Sequence, residues 1–348
     1  MVGAAVSGWR DLSIWAEACA DRATRWLEAT LLQLPGQAQT VKACVEGYAA
    51  VLGGARLGSR YACGALLQGI IQQTMVSPGE FHALDEPAKA RERSFLRNSC
   101  LLLAASHLGR VDVLSEPALV RLRSYQHGSG GFFDMDPAQG HGLVEAFTTA
   151  WGGRVAIRLG WHEQARRAAR LLADIIHLQP DPAGRFYFCY DTASRALATR
   201  WRPNQPAARF VEYESPAGET HHLGMMLAFL CEMHLADPGG GWDRAAAESL
   251  SLLQRCGTVL FGLPAMGTVA EGLALAALAL GKAGQAAAEM LQPQVASLSA
   301  TLEACGAEPA WDAGIGGEYE RAYSTIESTG WTAVCLAGLA QTCAALSS

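Results

Sequence analysis

Apolar residues recur at intervals of three and four positions along most of the chain, which is the period of an amphipathic α-helix. The pattern predicts about twelve helices. They cover Trp9–Thr30, Thr40–Leu52, Ser59–Met75, Arg91–Leu108, Glu116–Tyr125, Gly142–Leu159, Glu163–Leu178, Thr220–Leu235, Asp243–Cys256, Thr268–Leu280, Ala283–Glu303 and Ile326–Leu346. Glycine follows several of these segments directly, as at Gly109 and Gly160, where it is the expected helix stop.

The predicted helices are of two kinds that alternate along the chain. One kind is rich in Ala, Gly, Leu and Thr and is apolar on every side, as in residues 143–160. The other kind carries Arg and Glu along one face, as in residues 162–176. A helix that is apolar all round is buried, whereas a helix with a polar stripe faces water. Paired in this way, the helices predict an all-α (α/α)6 toroid in which residues 1–348 form a single domain.

One segment interrupts the helical pattern. Aromatic residues alternate on both sides of Asp191-Thr192-Ala193-Ser194 within residues 184–201, which predicts a β-hairpin. Together with the Pro-bearing stretch after it, this hairpin forms a predicted insertion over 183–217 that caps the cavity of the toroid. A second long loop is predicted over Gly306–Tyr323.

Charge and cysteine usage limit the partners and the compartment. The 348 residues carry a net charge of −6 without a basic stripe, which argues against nucleic-acid binding. The N-terminal residues lack a signal-peptide pattern, and the longest apolar run is too short to span a bilayer. The ten cysteines are scattered without a CxxC pair, which favours reduced thiols. These features predict a cytoplasmic protein without a membrane span, and they leave a homo-oligomer open.

Polar residues cluster at the starts of the apolar helices, where the mouth of a toroid's cavity lies. The main clusters are His141 with Glu145, His221 with His222, and Thr268 with Glu271. In the first and last of these, the spacing of four or three positions predicts that both residues share one helix face. An apolar pocket with a few titratable groups at its rim is the usual pattern of a small-molecule site.

His221-His222 is the strongest single feature. Adjacent residues lie about 100° apart on a helix, so one imidazole can face the cavity while the other caps or packs. Histidine is the usual acid/base group near neutral pH, and a purely structural pair is the alternative. A metal site needs a third ligand, and the sequence has no H-E-x-x-H pattern, so no metal is predicted.

Two carboxylates, Glu145 and Glu271, lie in otherwise apolar predicted helices. Burial would raise the pKa of such a carboxyl group and make it a general acid, unless an arginine such as Arg97 or Arg154 pairs with it. Asp134 follows a predicted turn, where a role in the turn and a role in catalysis are both open.

A local motif resembles a known superfamily. The segment Gln126-His-Gly-Ser-Gly130-Gly131-Phe132-Phe133 is similar to the glutamine–glycine turn of squalene and terpene cyclases and of protein prenyltransferase β-subunits. In those families the glutamine caps a helix end and the glycines allow the tight turn. The start of the last predicted helix, Tyr323 to Trp331, is similar to inner-helix starts of the same superfamily. The hairpin within 184–201 resembles a strand pair of linalool dehydratase/isomerase. The resemblance implies an (α/α)6 toroid.

The chain departs from the chemistries of that superfamily. Class II cyclases use D-x-D-D, whereas the nearest string here is Asp134-Met-Asp136-Pro137. The D-x-C zinc pair of prenyltransferases, the D-D-x-x-D magnesium motif of class I terpene synthases and the Cys-His pair of lanthionine cyclases do not match either. A dinucleotide or phosphate-binding glycine loop is also absent from the sequence. No cofactor is predicted.

Three functions remain open. The main hypothesis is a cyclase or isomerase/lyase that acts by acid/base chemistry on a small apolar substrate, isoprenoid or polyketide-like, within walls that exclude water. Its predicted catalytic residues are His222, His141, Glu145, Glu271, His221 and Asp134. Its predicted substrate contacts are Tyr187, Cys189, Phe147, Trp331, Met226 and Asn98. The alternatives are a carbohydrate-active (α/α)6 hydrolase or lyase with paired carboxylates, and a non-catalytic helical-repeat scaffold.

Overall fold

The structure is a computed structural model. It describes residues 8–33, 48–56, 60–81, 94–137, 142–200, 210–214, 220–257, 260, 266–305 and 318–348. The predicted catalytic residue His141 and most of the loop predicted at 306–323 lie outside these ranges.

Helices dominate the described residues, as the apolar periodicity predicts. They are α1 (Trp9–Gln33), α2 (Tyr48–Arg56), α3 (Arg60–Thr74), α4 (Ser94–His107), α5 (Glu116–Ser124), α6 (Ala146–Arg158), α7 (His162–His177), α8 (His221–Ala236), α9 (Trp242–Arg255), α10 (Met266–Ala279), α11 (Lys282–Cys305) and α12 (Glu318–Leu346). Most predicted helices begin and end within one turn of the observed ones. The predicted reduced thiols also fit, because none of the seven cysteines whose side chains are described forms a disulfide, and all seven are buried.

Short strands lie between the helices. They are β1 (Met75–Ser77), β2 (Glu80–Phe81), β3 (Leu143–Glu145), β4 (Arg185–Tyr187), β5 (Cys189–Asp191), β6 (Ala196–Leu197) and β7 (Phe210–Glu212). All the pairings are antiparallel: β1 with β2, β3 with β5, β5 with β6, and β4 with β7. The predicted hairpin is confirmed as β5 and β6, which flank the turn at residues 192–195.

The described residues cluster into two compact units. One contains 1–122, 264–271 and 292–348, and the other contains 123–263 and 272–291. In the first unit α12 packs against α1 and α2, and α2 packs against α4. In the second unit α6 packs against α7 and α8, and α8 packs against α9. The single domain over 1–348 stays a prediction.

The second unit confirms the alternation of helix types. In α8 every residue from His222 to Cys231 is buried, whereas in α7 six buried apolar residues form one stripe and charged residues cover the rest. Small residues let the buried helices approach closely. A Cβ at Gly153 of α6 would overlap the ring of Phe229 of α8.

Two predicted segments, 143–145 and 318–323, are wrong in the structure. Residues 143–145, predicted as the start of a helix, form β3 because their backbone pairs with β5 of the insertion. Residues 318–323, predicted as loop, belong to α12. In addition, residues 75–81, for which no element beyond Met75 was predicted, form the β1–β2 hairpin, and Gly79 turns it with a φ of +75°.

The glutamine–glycine turn is held by the side chain of Gln126. Its Nε2 donates to the carbonyl oxygens of Gly130 and of Gln164 in α7, both at 2.9 Å. The glutamine therefore joins the turn to the next helix and does not cap the helix before it. The tight turn requires Gly130, which has a φ of +101° and whose added Cβ would overlap the carbonyl of Arg167.

Residues 325–346 of α12 are long and apolar enough to cross a membrane by length and composition alone. Most of this stretch is buried inside the protein, as in the core helix of a soluble protein. Its apolar residues are therefore used in packing.

Candidate functional site

The junction of β3 and α6 places a carboxylate beside a thiol. Glu145 ends β3 in an extended conformation, with φ −110° and ψ 149°, and α6 begins at the next residue. Glu145 lies directly opposite Cys189 of β5, and residues opposite each other in a sheet project to the same face. The Cys189 Sγ donates to Glu145 Oε1 at 3.7 Å. Glu145 thus stands in a strand and not on the helix face that its spacing from His141 predicts.

Four rings pack together next to this junction, and we call them the aromatic–histidine cluster: Phe147, Phe188, His221 and His222. The His222 ring stacks on Phe188 with centroids 3.8 Å apart and an interplanar angle of 18°. The Phe147 ring meets both imidazoles edge-on, at 5.1 Å from His221 and 5.9 Å from His222. The two imidazole centroids are 4.3 Å apart. Both histidines therefore belong to one cluster.

Burial controls the protonation of His222. The residue is 4% exposed, and its burial lowers the imidazole pKa to about 4, while the negative charge of Glu145 opposes the shift. His222 is therefore neutral at neutral pH. His221 and Glu145 are only half-buried. Both side chains therefore keep part of their surface in contact with solvent.

Two other predicted contacts lie in the same unit. Met226 is buried one turn after His222 on α8, which places it on the same helix face. Tyr187 of β4 is half-buried, and its ring lies against Phe210 of β7 with centroids 5.6 Å apart. The insertion therefore supplies Tyr187, Phe188 and Cys189 in consecutive positions.

Three of the predicted site residues belong to the other unit. The Asn98 side chain accepts a hydrogen bond from the backbone N–H of Phe81 at 3.1 Å, which gives it a structural task. Glu271 of α10 is 1% exposed. Its carboxylate packs directly against Gly338 of α12, so that a Cβ added at Gly338 would overlap it. Trp331 is partly buried in α12.

The remaining expectations concern Asp134 and the arginine partners. Asp134 lies half-buried in the bend after Phe133, which fits the role in a turn. Arg154, considered above as a partner for a site carboxylate, binds Glu232 through an Nη2–Oε1 contact of 2.7 Å. This pair joins α6 to α8 inside the second unit.

Phe188 and Gln179 were not predicted. Phe188 lies in the aromatic alternation that predicts the hairpin, so the pattern marks its segment, but the stacking on His222 depends on residues 34 positions away. Gln179 follows α7 and binds the backbone of Tyr187 through both ends of its amide. The sequence carries no signal for that contact, since a glutamine after a helix is ordinary.

Within the part of the chain that the structure describes, no three His, Cys, Asp or Glu side chains come together to hold a metal ion. Carboxylate and imidazole side chains such as Glu145, His221 and His222 are groups that can donate or accept a proton.

No protein-family model matches the sequence, and no curated protein matches it. Solved structures do. One is a glycoside hydrolase of family 105 from C. acetobutylicum ATCC 824, with a TM-score of 0.51 and 14% identity over 85% of this chain and 93% of that one. Another is an unsaturated glucuronyl hydrolase specific for heparin, with a TM-score of 0.55 and 11% identity over 92% of this chain and 96% of that one. The chain has the (α/α)6 fold.

The predicted fold class, an all-α (α/α)6 toroid with small β elements, is thereby confirmed. At these identities the similarity concerns the fold and not the reaction. A specific relationship to squalene and terpene cyclases is not shown. Both (α/α)6 neighbours are hydrolases by name, and both match over almost their whole length.

Proposed function

We propose that the protein is a carbohydrate-active enzyme of the (α/α)6 fold, a glycoside hydrolase in which Glu145 acts as the acid. The observation that carries this proposal is the fold similarity to two glycan hydrolases over 85% and 92% of the chain. The carbohydrate-active reading, an alternative at the sequence level, is therefore preferred to the cyclase. An isoprenoid substrate has no comparable support among the neighbours.

The local chemistry fits the proposal. Cleavage of a glycosidic bond needs an acid that protonates the leaving oxygen and a base that takes a proton from the attacking water. Glu145 is half-buried and accessible, and His221, the more exposed histidine, is suited to act as the base. His222 is neutral and buried, and its ring lies 4.3 Å from the ring of His221. A single carboxylate with a histidine replaces the carboxylate pair expected from the sequence for a glycosidase.

The neighbours suggest which substrate class to test first. Because one neighbour is described as an unsaturated glucuronyl hydrolase specific for heparin, a short glycan ending in an unsaturated uronyl unit is the first substrate to test. The half-buried ring of Tyr187 offers a face on which the apolar side of a sugar can stack. We place the protein in the cytoplasm, because free buried thiols fit a reducing compartment.

A cyclase or isomerase/lyase is the second candidate function. It is favoured by the surroundings of His222, where the rings of Phe147 and Phe188 face an imidazole in a mostly apolar setting. Aromatic faces of this kind stabilise cationic intermediates on an apolar substrate. The same residues would then act on an alkene or alcohol in place of a glycoside.

One assay separates the two candidates. The purified protein is incubated with an unsaturated oligosaccharide mixture from a heparin lyase digest, and separately with small isoprenoid alcohols. Loss of the ultraviolet absorbance of the unsaturated sugar, with release of a new reducing end, is the expected result. Turnover of an isoprenoid without any turnover of glycan would favour the second candidate.

A further inference from the structure

We infer that Gln179 is a positioning residue that holds the strand segment Tyr187–Cys189 against Glu145 and the aromatic–histidine cluster. The inference rests on the proposed function, because it explains how the proposed site is kept in place. In the contacts described above, Gln179 touches neither Glu145 nor a ring of the cluster.

The first step is the set of hydrogen bonds that Gln179 makes. The residue is 9% exposed and follows the C-terminal end of α7. Its Nε2 donates to the carbonyl oxygens of Ile175 at 2.8 Å and of Tyr187 at 2.9 Å. Its Oε1 accepts from the N–H of Tyr187 at 2.8 Å. The amide group therefore uses both of its donor hydrogens and its acceptor oxygen.

At Tyr187 the Gln179 amide takes the place of a neighbouring strand. A side-chain amide carries the same donor and acceptor as a peptide group, so it can pair with a strand as a neighbouring backbone would. Tyr187 pairs in register with Phe210 of β7, while its own N–H and C=O bind Gln179. The segment is thus tied to the end of α7 at the residue before Phe188.

Phe188 and Cys189 connect the Gln179–Tyr187 hydrogen bonds to the candidate site. The Phe188 carbonyl accepts from the N–H of Ala146, the first residue of α6, at 2.9 Å, and the Phe188 ring stacks on His222. The thiol of the next residue, Cys189, donates to Glu145. A shift of this segment would therefore change the stack that keeps water from His222 and the contact to Glu145 together.

Gln126 provides a matched comparison in the same unit. Its amide also makes three hydrogen bonds, with the carbonyl oxygens of Gly130 and Gln164 and with Arg167 Nη2, which donates to its Oε1 at 2.5 Å. None of these described bonds involves residues 187–189. Replacing either glutamine removes three hydrogen bonds. Only the replacement of Gln179 removes bonds to residues 187–189, which contact Glu145 and the aromatic–histidine cluster.

The experiment compares Gln179→Met with Gln126→Met, because methionine preserves the volume and the unbranched shape of glutamine. The first readout is the titration of His222 followed by NMR of its imidazole in the free protein. The charged and titratable groups that face this ring are Glu145 and His221. We expect the His222 pKa to rise from about 4 towards the ordinary histidine value in Gln179→Met and to stay unchanged in Gln126→Met.

The second readout is kcat on the glycan substrate, with an expected loss of about tenfold or more in Gln179→Met and little change in Gln126→Met. Gln179→Asn, which keeps the amide but shortens its reach, is expected to fall between the wild type and Gln179→Met. An unchanged His222 pKa in Gln179→Met would overturn the inference. A wild-type protein that cleaves no glycan would contradict the proposed function, while the NMR comparison still decides the role of Gln179.

Discussion

At the residue scale, the most informative group is His222. Its imidazole is stacked on Phe188, meets the edge of Phe147 and is almost wholly removed from water. A charged imidazole in this setting would lose its hydration without full compensation, which is why its pKa falls to about 4 despite the nearby carboxylate of Glu145. The imidazole of His222 is thus neutral near pH 7.

This lowered pKa predicts a dependence of stability on pH. The unfolded chain binds a proton at His222 below about pH 6.5, whereas the folded chain binds it only below about pH 4. The free energy of unfolding is therefore highest above pH 6.5 and falls as the pH is lowered through this window. The contribution of His222 to that loss is about 3 kcal/mol.

Urea denaturation of the wild type and of His222→Phe at pH 7 and pH 4 measures this contribution. The variant keeps an aromatic ring in the stack but cannot titrate. The stability difference between the two proteins should shift by about 3 kcal/mol in favour of the variant at the lower pH. Parallel pH profiles for both proteins would contradict the burial of a neutral imidazole at this position.

At the element scale, the site depends on short strands that bring distant residues together. The periodic helices could be predicted closely, because each one repeats its apolar pattern over several turns. The strand β3 could not, since it has three residues and its partner β5 lies 44 positions further along the chain at Glu145 and Cys189. The spacing of His141 and Glu145 therefore suggested a helix face where the chain forms a sheet.

Contacts between residues far apart in the chain leave no sequence pattern, and this explains which site residues could be predicted. His222, His221, Glu145, Phe147 and Cys189 stood out as polar or aromatic residues in a helical or alternating pattern, and the structure brings them together. Gln179 acts through the backbone of Tyr187, and such a contact leaves no trace in hydropathy. Asn98 stood out as a polar residue at a helix start, and its side chain accepts from the backbone of Phe81.

Substitutions in the glutamine–glycine turn test whether this turn packs against α7. Gly130 has a φ of +101°, and an added Cβ would overlap the backbone carbonyl of Arg167 in α7. Gly130→Ala should therefore lower the free energy of unfolding by about 2 kcal/mol or more, through both backbone strain and the clash. Gly128→Ala is the control in the same turn, because its Cβ would meet nothing within 4 Å.

Thermal or chemical denaturation of both variants measures the difference. We expect a clear loss of stability for Gly130→Ala and a change within about 0.5 kcal/mol for Gly128→Ala. Equal effects at the two glycines would mean that the turn is not packed against α7 as described.

At the scale of the whole molecule, the chain uses its apolar content for an (α/α)6 core. The pairing of apolar and amphipathic helices made this fold predictable, and the solved structures confirm it. Composition and fold similarity point to different substrate classes. Inner helices rich in Ala, Gly and Leu suggest an apolar ligand, whereas the neighbours of the same fold are glycan hydrolases. In the proposed function a few polar groups on the strands and helix starts carry the chemistry, and such groups are a small part of the composition.

The burial of α12 predicts how the protein behaves when a cell lysate is fractionated. Because residues 325–346 are mostly packed inside the protein, they are not free to insert into a lipid bilayer. The protein expressed without detergent should remain in the supernatant after ultracentrifugation of a cell lysate. Recovery in the membrane pellet, extracted only by detergent, would contradict the packing of this helix.

The central claim is that Glu145 transfers the proton in glycoside hydrolysis, and one comparison of rates tests it most directly. The initial rate of hydrolysis of unsaturated heparin oligosaccharides is measured for the wild type, Glu145→Gln and Glu163→Gln. Glutamine keeps the shape of the side chain but cannot protonate the leaving oxygen, so Glu145→Gln should be slower by about a hundredfold or more. Glu163→Gln, an exposed carboxylate of α7, should hydrolyse the substrate at the wild-type rate. A Glu145→Gln variant as fast as the wild type would contradict the account.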